Sequence, residues 1–266
     1  MLIDTHIHIG DRNECQYIVD NSIYRNIYRL YSCIKPEVIS LTNEFLMDVD
    51  KYFAIPLFFF ETDIDDANIK LLNKIKGDSR AIPVLLLPKN ESISRTQEIM
   101  KYKILKEHFS LHSPKDISDR DDAYDYLSQI GGILLLHTLE DYTLSHIKYL
   151  RKEFPNMHIL LAHLGRNSHC DYIFTKNIIE SLCSDDKIIT DISTVDNELL
   201  IRYAINKYGK ERVLYGSDFP FETDAENREK NFMKTALRAS LSDDEKEHLF
   251  YKNAERVIQY AKIKRR

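Results

Sequence analysis

The sequence has no tryptophan and only seven glycines and seven prolines among its 266 residues. With so little of either breaker, low-complexity linkers and collagen-like classes are excluded. The four cysteines, Cys15, Cys33, Cys170 and Cys183, form no CxxC pair. That spacing offers neither a disulfide framework nor a thiolate metal site, and buried thiols in a reduced, cytoplasmic setting are expected. Positive charge is not in excess: 37 Lys and Arg against 42 Asp and Glu leave a net charge of −5. A nucleic-acid partner is therefore not expected, and the terminal KIKRR is too short to alter that. Apolar stretches such as 54–60 fall far short of the roughly 20 residues of a membrane span. The amino terminus, MLIDTHIHIG, carries an acid at position four and lacks the basic-then-apolar layout of a signal peptide.

What is present suffices for a core. Hydrophobic residues make up 43% of the chain, with 16 Tyr and 12 Phe among them. Eight apolar runs recur along the sequence, at 2–9, 51–59, 80–87, 102–109, 132–137, 158–163, 187–193 and 212–218. Between them lie stretches of helical periodicity. DDANIKLLNKIKG puts Ala67, Leu71, Leu72 and Ile75 on one face before Gly77; YTLSHIKYLRKEF does the same with Leu144, Ile147 and Leu150 before Pro155. NELLIRYAINKYG repeats the pattern and stops at Gly209. Strands alternating with helices imply parallel pairing through crossover units. Eight such units predict a (β/α)8 TIM barrel as a single domain over 1–266, with an open doubly wound sheet as the alternative. The region 13–48 has room for two helices.

A barrel of this kind builds its active site where the strands end. His6 and His8, two apart on the first run, face the same way, so both imidazoles can enter the barrel together. Neutral imidazole is the commonest metal ligand, and two convergent ones make half a site. The fifth run, Ile133 to Leu136, ends in His137, the sixth delivers His163, and the eighth delivers Asp218. Any one of these histidines alone reads as core; four strand ends presenting His, His, His and Asp to one rim do not. Three of the seven glycines, Gly10, Gly165 and Gly216, stand two residues from these positions. On the fourth run Lys106 and His108 share the inward face and Glu107 faces the helices.

DTHIH at the start, the histidines of the fifth and sixth runs, GSDFP after the eighth, and a closing LSDDEKEHLFYKNAERVI resemble the amidohydrolase superfamily. The likeness is closer to its amidohydrolase-2 group, metal-dependent hydrolases and decarboxylases of cyclic carboxylic acids, and covers nearly the whole chain. Lys106-Glu107-His108 resembles that group's K-x-H, although Phe109 stands where proline is common. The resemblance implies that His6, His8, His137 and Asp218 hold one divalent metal, zinc foremost and manganese next, with a binuclear site left open. Nitrogen ligands with one carboxylate suit zinc, but ligand type does not settle the metal. His163 then serves as proton carrier beside the metal, and Asp218 doubles as the base for its water.

Lys106, His108 and Arg166 are the expected contacts for a substrate carboxylate. Asp191 and Ser193 end the seventh run within reach of the pocket, Asp4 orients ligands or caps the floor, and His112 and His169 lie on rim loops. His146, His158 and His248 are read as structural. The expected activity is hydrolysis of a small carboxylate-bearing ester, lactone or amide, with non-oxidative decarboxylation as the alternative on the same scaffold. A TatD-like metal-dependent nuclease is the further alternative, and needs the strand-four glutamate to enter the barrel. The expected partner is a small molecule rather than nucleic acid or membrane, and assembly into a homo-oligomer is left open.

Overall fold

The structure is a computed structural model and describes residues 1–10, 49–58, 62–87, 102–108, 120–137, 143–167, 170–219, 233 and 235–261. The expected helices of 13–48, together with Cys15, Cys33, Phe109, His112 and His169, lie outside the described residues.

Each of the eight apolar runs supplies a strand. They are β1 (Ile3–Ile9), β2 (Lys51–Pro56), β3 (Ala81–Pro83) with β4 (Leu85–Leu86), β5 (Ile104–His108), β6 (Ile133–His137), β7 (His158–Leu161), β8 (Ile188–Asp191) and β9 (Val213–Leu214). The third run is split in two because Pro83 has no N–H to give. Val84 N crosses the break by donating to Ala54 O at 2.9 Å. β3 pairs only with β2 and β4 only with β5, which leaves one sheet of order β1-β2-β3 and another of order β4-β5-β6-β7-β8-β9. All pairs are parallel.

The ring closes beyond β9, where the chain runs beside β1. Thr5 N donates to Tyr215 O at 3.0 Å, Asp218 N to His6 O at 2.8 Å, and His8 N to Phe219 O at 2.6 Å. This is the parallel (β/α)8 barrel.

Helices α1 (Ile64–Lys74), α2 (Asp121–Gln129), α3 (Thr143–Glu153), α4 (Tyr172–Leu182) and α5 (Glu198–Tyr208) alternate with the strands, and α6 (Asp243–Glu247) leads through a π-helical turn into α7 (Asn253–Ala261). Local chemistry sets their limits. Asp63 caps α1 by accepting from Asp66 N at 2.9 Å, and Asn197 caps α5 by accepting from Leu199 N and Leu200 N. α5 stops at Gly209, whose φ of 86° suits glycine best. Two buried clusters follow from strand alternation. Leu105, Leu134, Leu136, Ile159 and Leu161 pack outward against the helices. Ile104, Ile133, Leu135, Leu160 and Leu214 fill the barrel, and Ala254, Val257 and Ile258 of α7 pack with them. A shift in the β1–β2 register between Asp4 and Ile7 lets Ile3 join the inner cluster while Ile7 and Ile9 pack outward, so His6 and His8 face in. Among the described residues no helix is long and apolar enough to cross a membrane.

Candidate active site

The carboxyl ends of the strands bring titratable groups to the barrel mouth that the hydrophobic layers below hold in place. His6 and His8 come from β1, Lys106 and His108 from β5, His137 from β6, and Asp191 from β8. His163 lies just beyond the end of β7, after Ala162, and Asp218 follows Tyr215, Gly216 and Ser217 beyond β9. His6, His8, Lys106, His163, Asp191 and Asp218 are all buried.

Three of these groups aim lone pairs at one another. Asp218 Oδ1 lies 3.2 Å from His6 Nε2 and 3.4 Å from His8 Nε2. His8 Nδ1 donates to Pro56 O at 3.0 Å, which leaves Nε2 with the lone pair. Burial pushes the His8 pKa down to about 4, so the ring is neutral at pH 7. Burial alone would raise Asp218, yet His6, His8 and Lys106 around it hold it below the usual carboxylate value. Two imidazole nitrogens and a carboxylate oxygen within 4.8 Å of one another are the donor set that a divalent cation satisfies. His6, His8 and Asp218 fit such an ion.

His137 stands one residue away from that set. Its Nδ1 meets His163 Nε2 at 3.1 Å, and its ring stacks on His108 with centroids 3.9 Å apart. His163 Nε2 is in turn 4.0 Å from Asp218 Oδ2. The four ligands expected together are thus a cluster of three, with His137 joined to it through His163. β6 ends level with β5, as the His108–His137 register pair requires, and the stacking that follows turns His137 towards His163. Burial lowers the pKa of both His137 and His163 well below the ordinary value.

Lys106 does face the interior, but it is engaged. Its Nζ lies 2.8 Å from His6 Nε2, and burial pulls its pKa down to about 8. Arg166, the second expected anion contact, directs Nε and Nη2 to Thr194 Oγ1 at 3.0 and 2.7 Å. Glu107 points the other way, into the helical layer. Tyr124 Oη donates to its two oxygens at 2.7 and 2.8 Å, with Arg120 Nε at 3.8 Å and His146 Nε2 at 3.6 Å. The nuclease alternative required this carboxylate inside the barrel. His158 opens β7 at the opposite end, edge-on to Tyr260, and His248 bonds Asp244 O on the last helical stretch.

Asp191 turns out to be the most connected group. Oδ2 lies 3.0 Å from His6 Nδ1, while Oδ1 accepts from His163 N at 2.9 Å and Ser193 N at 3.0 Å. His6, His163 and Asp191 also sit close enough to share an ion. The hydrogen bonds that Asp191 already accepts make them a support for the first set instead. Asp4 supports it from below: Oδ1 accepts from His6 N and Ser217 N, and burial raises its pKa to about 7. Four of the six left-handed non-glycine residues among those described are His163, Leu164, Thr194 and Asp218, all following β7, β8 or β9. Backbone in that region costs on the order of 1–3 kcal/mol per residue and concentrates at functional sites.

The family model described as Amidohydrolase matches residues 105–259, more than half of the chain. No curated protein sequence matches. Among solved structures, one from Pseudomonas putida, provisionally assigned as a 2-pyrone-4,6-dicarboxylic acid hydrolase, superposes with a TM-score of 0.73 at 14% identity, covering 98% of each chain. An amidohydrolase from Burkholderia multivorans with bound zinc gives 0.72 at 15% identity, over 98% of this chain and 99% of the other. The 5-carboxyvanillate decarboxylase of Novosphingobium aromaticivorans, complexed with manganese and a nitrobenzoic acid, gives 0.67 at 17% identity, over 97% and 96%. At such identities the likeness is one of fold, and the family model carries the assignment: the chain belongs to the amidohydrolase family of enzymes.

Proposed function

We propose that this chain is a metal-dependent hydrolase of a small carboxylate-bearing ester, lactone or amide. The observation that carries the reading is the convergence of His6 Nε2, His8 Nε2 and Asp218 Oδ1. Those residues would hold one divalent cation, with His137 as the fourth group of the set. Zinc is the first expectation and manganese the second; the Burkholderia and Novosphingobium structures contain one each. Such an ion supplies Lewis acidity and a water whose pKa falls from 15.7 to about 7 in favourable sites.

The chain's own groups divide the remaining work. Asp218 Oδ2 takes the proton of the attacking water and hands it to His163 Nε2, 4.0 Å away, which passes that same proton to the leaving group. A cation and an ammonium cannot share the His6 Nε2 lone pair, so Lys106 is the group released towards the substrate carboxylate. His108 and Arg166 are its companions on the rim. The Pseudomonas and Novosphingobium relatives, named for a pyrone dicarboxylic acid and a carboxyvanillate, support a cyclic carboxylate as substrate class.

Metal analysis of the purified protein, then a panel of lactones, esters and aryl carboxylates, tests the reading. Bound zinc or manganese with ring opening or ester cleavage is the expected result. Release of CO2 from the aryl carboxylates, with the lactones and esters untouched, would make it a decarboxylase. Absence of metal binding would sink the site assignment.

A further inference from the structure

We infer that Asp191 is the positioning residue that sets the tautomers of the barrel-mouth histidines. The inference rests on the metal reading above for its consequence, but not for its geometry. Each step follows from which atom can donate. Asp191 lies wholly buried, and its Oδ2 can only accept, so the 3.0 Å contact places the hydrogen on His6 Nδ1. His6 Nε2 is then a lone pair. Lys106 Nζ, which can only donate, confirms this from the other side at 2.8 Å.

The second oxygen governs His163. Ser193 has one hydroxyl hydrogen, and its Oγ donates it to Asp191 Oδ1. The same Oγ is 2.7 Å from His163 Nδ1 and, with its hydrogen spent, must accept there. Ser193 O, 3.1 Å from the same nitrogen, is a second acceptor. His163 therefore carries its hydrogen on Nδ1 and presents a bare Nε2. His137 Nδ1, 3.1 Å from that Nε2, must be the donor, which leaves His137 Nε2 as the lone pair. One carboxylate thus orders the polarity of three imidazoles, two of them expected ligands. Asp191 also holds the turn that makes this possible, because Oδ1 accepts from the main-chain N–H of His163, a residue at φ 56°. A metal ligand's partner on its far nitrogen fixes ring orientation and tautomer, and its loss typically lowers metal affinity 10–100-fold.

The test is imidazole ¹⁵N–¹H correlation NMR on the metal-free protein, combined with Zn²⁺ affinity by chelator competition. In the wild type, His6 and His163 should both show the Nδ1–H tautomer. Either one found as Nε2–H overturns the inference without any variant. In Asp191→Asn the amide oxygen can still accept from His163 N and Ser193 N, while its NH2 faces His6 Nδ1. His6 should therefore switch to Nε2–H, and Zn²⁺ affinity should fall about 10–100-fold. A folded Asp191→Asn protein with His6 still Nδ1–H, or with unchanged Zn²⁺ affinity, refutes the inference and leaves the metal reading intact. Ser193→Ala keeps Asp191 Oδ2 against His6 Nδ1 and should leave His6 as Nδ1–H; loss of that tautomer there would move the role from Asp191 to Ser193. A wild type that shows both Nδ1–H tautomers yet binds no Zn²⁺ would support the inference and sink the metal reading.

Discussion

Gly216 packs where the chain leaving β9 crosses β1, and adding a single methyl there tests how tightly the site depends on that crossing. A Cβ built at Gly216 would sit 2.8 Å from His6 Cβ, 3.3 Å from Ser193 Cβ and 3.5 Å from His6 N. The nearest atom belongs to a side-chain root, so rotation cannot relieve the clash. His6 is also pinned along its main chain, its N donating to Asp4 Oδ1 and its O accepting from Asp218 N. Gly216→Ala must therefore push two strands apart. Overpacking of this sort costs about 1–3 kcal/mol. For a chain of this length each kcal/mol shifts Tm by about 2–4 °C, so a fall on the order of 2–12 °C is expected.

The displacement has a second consequence. Metal–ligand distances tolerate only about ±0.2 Å, and the clash moves His6 by more than that, so Zn²⁺ affinity should fall together with Tm. Gly77→Ala is the control: φ is +89°, nothing lies within 4 Å of the added methyl, and the residue follows α1 away from the site. It should lower Tm through backbone strain alone and leave Zn²⁺ affinity unchanged. Differential scanning fluorimetry with chelator competition reads both quantities. A Gly216→Ala protein matching wild type in both would refute the reasoning, and a Gly77→Ala protein losing Zn²⁺ affinity would show that the readout follows general stability rather than the crossing.

The fold was legible because strand order and core depend on patterns that sequence displays. Eight apolar runs alternating with amphipathic stretches leave few arrangements; that proline splits the third run at Pro83 but only ends the second strand at Pro56 emerges from the structure alone. The histidine positions were legible for the same reason: His6 and His8 obey the two-residue period, and His137, His163 and Asp218 each follow an apolar run that ends. What each side chain meets across the barrel was not legible. The two-residue period puts Lys106 on the inner face, yet only the ring's diameter brings its Nζ to His6 instead of the open rim. Asp191 looked like one more polar strand end. Its dominance depends on left-handed turns at His163 and Thr194, and a β-branched threonine does not announce such a turn. Sequence presents Arg166 as an anion contact, but the Thr194 hydroxyl that receives it is placed by that same turn.

Three further outcomes follow from particular groups. Glu107→Ala leaves the charge of Arg120, 1% exposed, without the carboxylate that faces it, and should cost about 3–5 kcal/mol in urea unfolding while Zn²⁺ affinity stays unchanged. Lost Zn²⁺ binding there would mean that Glu107 reaches the site after all. His163→Asn should keep the metal but lose roughly 10²–10⁴-fold in turnover on the substrate that the panel identifies, whereas His6→Ala should lose the metal itself. A metal-free His163→Asn protein would recast His163 as a ligand. The last concerns acid stability. Burial depresses the His158 pKa to about 4 from an ordinary 6.5, with Lys187 and Arg151 adding to the effect. Between those values the unfolded chain binds a proton that the folded chain refuses, so His158 contributes stability above pH 6.5 that is lost as pH falls towards 4. His8 titrates over the same window, but it lies at the metal-binding set while His158 lies at the far end of the barrel. Comparing wild type with His158→Gln at fixed metal concentration therefore isolates the His158 share. Urea midpoints plotted against pH should fall less steeply in the variant between pH 6.5 and 4 and run parallel above pH 7. Curves parallel across the whole range would mean that His158 takes up its proton as readily folded as unfolded, and that its packing against Tyr260 at the barrel floor is looser than the 4.7 Å ring contact indicates.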